Sequence, residues 1–118
     1  MTLIDLVRSI DGAEEALAER GLEHRGVRYV YGMLVRQPWT LNEKIISNDE
    51  ARTYVHGLAG NETSRRAQWS EAAPDPAQRI VMVGEHRALI PASIPPEWHY
   101  TAACLALIVA AGKEKSNA

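Results

Sequence analysis

Cys104 and His99 are the two side chains whose types could make a nucleophile and its base, and Cys104 is the only cysteine. Such a pair needs thiol and imidazole within hydrogen-bond reach, but a spacing of five on a helix turns the two toward different faces. Cys104 also stands inside the uncharged run 101–111, which predicts a buried, inert thiol. A single cysteine excludes an internal disulfide and suits a reducing compartment. The aromatic group Trp98, His99 and Tyr100 reads as a helix-opening turn that closes the core, with His99 toward solvent. His24, His56, His86 and His99 are scattered without the paired spacing of a zinc site, and no acidic cluster resembles a calcium loop. Gly57 and Gly60 follow a helix, which is cap chemistry and not a phosphate cradle in front of one. We therefore assign no catalytic residue, no metal ligand and no cofactor, and expect a protein that is not an enzyme.

Binding chemistry is better represented. Tryptophan and arginine dominate energetic hot spots at interfaces, and Trp39, Trp69, Arg65 and Arg66 are the candidate partner-binding residues, with Trp69 the only large apolar side chain on an otherwise polar stretch. A second surface lies on the C-terminal helix. There Ala102, Ala106 and Ala110 recur every four residues and form a smooth stripe along which another helix can approach, which makes them the candidate dimer interface. The alternative is a winged-helix-like DNA-binding regulator, in which Arg65, Arg66 and Gln68 on a helix over 62–73 face DNA and the hairpin tip 84–87 is the wing. Asp49, Glu50, Glu62, Glu71, Asp75 and Glu85 offset the nearby arginines and argue against it.

The elements that must position these residues follow from period and punctuation. Thr2 with Asp5 makes a capping box, and Leu3, Leu6, Val7, Ile10, Ala13, Ala16 and Leu17 fall at helical spacing, predicting a helix over 3–20 that Gly12 either bends or splits in two. Val27, Tyr29, Tyr31, Met33 and Val35 alternate with their neighbours, predicting one long strand over 27–36. Both of its faces turn apolar midway, as in a strand covered on two sides. Residues 39–46 fit strand, helix or loop. Ser47 and Glu50 form a second capping box ahead of a helix over 48–59, and a mostly polar helix is expected over 62–73 before Pro74 and Pro76. Residues 79–90 read as a hairpin with a glycine in its loop. Pro96 then opens a helix over 96–111, apolar on all sides over 101–111 and so to be covered on all sides, by its own chain or by a second copy. Gly112 ends it, leaving 113–118 as a frayed polar tail.

This order of elements implies an α+β domain spanning 1–118, with helices packed on a small antiparallel sheet. Its 118 residues suit one domain, and a formal net charge of −2 gives no global pull toward nucleic acid or anionic membranes. The N-terminus lacks a secretory signal and the apolar run is too short to span a bilayer, so we expect a cytoplasmic protein that does not enter the membrane. The function read from the sequence is a small regulatory module of inhibitor or adaptor type. It binds another protein, occupies that partner's surface sterically and forms a homodimer.

Overall fold

Thr2 opens the fold as a helix cap. Its Oγ1 accepts from the Asp5 amide at 3.3 Å while the Asp5 carboxylate accepts from the Thr2 amide at 3.1 Å, so two otherwise unpaired donors are satisfied reciprocally. The computed structural model describes residues 1–26, 28–35, 39–59, 67–83 and 86–116, with backbone alone at 28–30, 35, 67–72 and 113–116. The predicted helix over 3–20 is two helices, α1 (Leu3–Arg8) and α2 (Ala13–Glu19). Gly12 divides them at φ 81°, a left-handed conformation that ends a helical run and that glycine adopts without a Cβ penalty.

Strand β1 (Leu22–His24) follows, then β2 (Arg28–Val30) and β3 (Met33–Val35). The single strand expected over 27–36 is therefore a hairpin, because Tyr31 and Gly32 both take positive φ, 53° and 77°, and reverse the chain. Two positive φ values at the corner match the right-handed twist of the flanking strands. The undecided segment 39–46 is a second hairpin of β4 (Trp39–Leu41) and β5 (Lys44–Ile46), turning at Asn42 and Glu43, also with positive φ. β1, β4 and β5 form one antiparallel sheet in that order.

Helix α3 (Asn48–Leu58) begins at the Ser47 and Glu50 capping box. The helix expected over 62–73 is not formed across its second half, where 67–72 are a strand, β6 (Ala67–Ala72). β6 pairs with β7 (Gln78–Val83), which pairs in turn with β8 (His86–Pro91), both antiparallel. Ala, Gln, Ser and Glu give this segment only weak intrinsic preference, and pairing with the β-rich partner strand decides its conformation. Residues 60–66 lie outside the described residues.

Pro96 starts a 3₁₀ turn (Pro96–Trp98) that runs into α4 (His99–Ser116). Gly112 does not close this helix, which continues to Ser116. Helix α4 packs on β6, β7 and β8 and is also contacted by α1, α2 and α3. Thr101, Ala102, Ala103, Cys104 and Leu105 are consecutive and all buried, so its first turns are enclosed on every side as their uniform apolarity requires. Val81, Val83, Ala88 and Ile90 from the sheet and Leu6, Val7, Leu17 and Val55 from the helices join the same core. The chain is thus α+β, with its C-terminal helix packed against a small antiparallel sheet.

Gly21 joins α2 to the first sheet at φ 86°, and its carbonyl accepts from the Asn42 amide at 2.8 Å. A Cβ at this position would land on the Asn42 side-chain amide. Gly21→Ala is expected to cost about 1–2 kcal/mol from left-handed strain alone, read as a lower urea midpoint. An unchanged midpoint would show that the turn relaxes around the methyl.

Candidate functional site

The four partner-binding residues read from the sequence part company in the structure. Arg65 and Arg66 lie outside the described residues. Trp69 takes a register position on β6 opposite Met82 of β7. Trp39 is 1% exposed and belongs to the core, not to a binding surface. It stands on the middle strand of its sheet, between β1 and β5, and its ring meets His24 edge-on at 5.0 Å and 78°.

Beside this indole His24 is held below the ordinary histidine value, first by burial and then by the Arg8 guanidinium, with the Glu14 carboxylate opposing. The fold favours the neutral ring, so on acidification the unfolded chain takes up its proton first. The stability that His24 contributes is complete above about pH 6.5 and is lost as pH falls through that value toward the lower folded-state pKa. Thermal unfolding between about pH 7.5 and pH 5 should show a falling midpoint, and His24→Gln should remove that part of the slope.

A polar cluster that the reading of the sequence did not single out joins α3 to α4. Arg52 Nε donates to Thr101 Oγ1 at 3.0 Å, and Nη2 donates to the Glu97 carbonyl at 2.9 Å. The same guanidinium lies 4.1 Å from the centre of the Trp98 ring, in cation–π contact. His56 Nε2 is 2.9 Å from Thr101 Oγ1, and its ring tilts against Tyr100 at 4.7 Å. Arg52 and His56 are four apart on α3 and share one face, which is the signal a sequence reader could have used. Thr101 is wholly buried, so its hydroxyl serves as a clamp between helices and offers no approach to a substrate. His99, expected to meet solvent, is part-buried and donates from Nε2 to the Ile94 carbonyl at 2.9 Å, and Cys104 is buried. Among the described residues no group of three or more His, Cys, Asp or Glu is placed to hold a metal ion, and no helix is long and apolar enough to cross a membrane.

The alanine stripe of α4 runs from core to surface. Ala102 is fully buried, Ala106 half-buried and Ala110 exposed. Its outer end opens on a cavity of about 300 Å³ lined by Leu107, Ile108, Ala110 and Ala111, with Leu58, Ala59, Arg20 and His86 opposite. A second, more open groove of about 410 Å³ lies between the β4–β5 hairpin and the start of α3, lined by Leu41, Ile46, Asp49, Glu50, Thr53 and Tyr54.

Among the described residues the largest exposed apolar group is on the β2–β3 hairpin, which pairs with no other strand among them. Tyr31 is 99% exposed, Met33 68% and Leu34 50%. A bulky residue with positive φ is uncommon, and Tyr31 takes that conformation at the very tip of the hairpin. Sequence reasoning missed this arm by reading the two apolar faces of 27–36 as burial on both sides. The Tyr-Gly pair at the centre of the run was the available sign of a turn.

Comparison of the chain with protein-family models, with curated proteins and with solved structures returned no match.

Proposed function

We propose that this chain is a small, non-catalytic protein-binding module of inhibitor or adaptor type, cytoplasmic and homodimeric, that acts by sterically occupying the surface of a partner protein. The observation that carries this reading is the β2–β3 arm. It sets an aromatic and two long aliphatic side chains in solvent at the end of a two-stranded ribbon, and exposed apolar groups clustered in this way mark interaction sites. An isolated hairpin is marginal in water, so lying against a second surface would also stabilise the arm itself. Trp69, Arg65 and Arg66 remain proposed contributors to the contact, whereas Trp39 is withdrawn from it.

Placing a photo-cross-linking residue at Tyr31 in the native host tests the reading. We expect a covalent adduct with a protein, lost when Met33 and Leu34 are both changed to Ser. Irradiation that yields no protein adduct overturns the proposal. Retention of the free protein on heparin at low salt, released by salt and unaffected by changes to the arm, would instead favour the DNA-binding alternative.

A further inference from the structure

We infer that the surface occupied by the arm is the groove between β4–β5 and α3 on a second copy of this chain, each copy giving one arm and receiving one. This rests on the reading of the arm as a docking element and names what it docks on. Charge identifies the occupant. The segment 23–36, in which Arg25 is paired with Glu23 at 3.4 Å, contains Arg25, Arg28 and Arg36 against that single acid, so the remainder of the chain carries an excess of four negative charges. The groove has Asp49 and Glu50 at its rim and, among the described residues, no basic residue in its lining. Arm against arm brings like charges together, and body against body does the same. Arm against groove is the complementary pairing, and it supplies apolar walls for an apolar tip.

Shape agrees with charge. Tyr31 is almost wholly exposed, so its own body does not hold it. The groove, at about 410 Å³, is open and lined by Leu41, Ile46 and Tyr54 beneath the acidic rim. Arm and groove both adjoin one sheet: β1 and β4 pair through His24 and Trp39, β2 and β3 fall between those two residues in the sequence, and β4–β5 walls the groove. Reciprocal exchange of arms buries the same patch on both copies and closes with two-fold symmetry. Consecutive Met33 and Leu34 face opposite sides of β3, so each arm inserts Tyr31 and one of these two, four large side chains in all and on the order of 600 Å² at about 150 Å² each. With a similar area of groove wall covered, this comes to the lower edge of the roughly 1,200–2,000 Å² that specific interfaces bury.

The test is sedimentation of the full chain at about 50 µM in about 50 mM salt and again in about 500 mM. We expect a dimer that weakens by about tenfold or more at the higher salt. Tyr31→Ser combined with Met33→Ser disables the arm, and Thr53→Arg puts bulk and a like charge into the groove. These positions are exposed, so far-UV circular dichroism and the unfolding midpoint should stay as in the wild type. Each variant alone should be monomeric, and an equimolar mixture should recover a one-to-one pair held by the single intact arm and groove. A Thr53→Arg chain that dimerises like the wild type overturns the groove. A wild-type chain that stays monomeric overturns the inference altogether. If that monomer still forms a Tyr31 adduct with a different protein, the protein-binding reading stands without the self-association; if it forms none, both fall.

Discussion

Trp39→Ala is expected to lower the unfolding free energy by about 3–5 kcal/mol, the cost of emptying a large aromatic site in a core that relaxes only in part. The residue is 1% exposed on the central strand of its sheet and packs across His24, so its removal strips contacts from β1 as well as β4. Trp39→Phe should separate volume from polarity. The indole Nε1 has no hydrogen-bond partner among the described residues, and a buried unpaired donor costs about 1–3 kcal/mol. Phenylalanine keeps much of the ring and discards that donor, so its net effect should be far smaller than that of alanine. Urea titration of both variants measures the difference. An alanine variant with a wild-type midpoint and impaired partner binding would return Trp39 to the surface role that its residue type suggests.

The three alanines on α4 should respond to leucine in graded fashion. Ala102 is fully enclosed, and three added heavy atoms cannot be received without shifting neighbours, so Ala102→Leu is expected to cost up to about 3 kcal/mol. Ala110 is exposed at the mouth of the smaller cavity, and Ala110→Leu should change stability by less than about 0.5 kcal/mol. Ala106 should fall between them. Equal effects at all three positions would mean that α4 is not enclosed by its own chain as described. A change in sedimentation at Ala110→Leu with unaltered stability would restore the outer end of the stripe as a subunit contact.

Capping chemistry was fully legible in the sequence. Thr2 with Asp5 and Ser47 with Glu50 form the boxes that their spacing announces, because these bonds are local and owe nothing to tertiary context. The enclosure of the first turns of α4, 101–105, was legible because an uncharged run has no face to give to water, yet Ala110 and Ala111 at the far end of the same run are exposed. The strand at 67–72 was not, because weakly inclined residues take their conformation from a partner strand more than five positions further along the chain. At 27–36 alternation was read correctly as strand and wrongly as one strand. Periodicity reports which residues share a face but does not report where the chain reverses, and here a tyrosine in a conformation usually left to glycine makes the reversal. For the candidate site, residue type pointed to tryptophan, yet the large exposed side chains on the arm are tyrosine, methionine and leucine. Exposure is set by tertiary packing, which spacing along the chain does not encode.

The place of α4 in the chain has a consequence for biosynthesis. The helix fills the centre of the core, yet α1, α2, α3 and the strands packed on it all precede it in the sequence. At a translation rate of roughly 5–20 residues per second, those elements leave the ribosome seconds before the helix that completes their burial. The nascent chain must therefore carry its apolar faces uncovered until α4 emerges. Stalled chains that carry an unstructured linker long enough to clear the exit tunnel test this: residues 1–98 ahead of the linker should display protease-sensitive β6–β8, and residues 1–116 ahead of it should not.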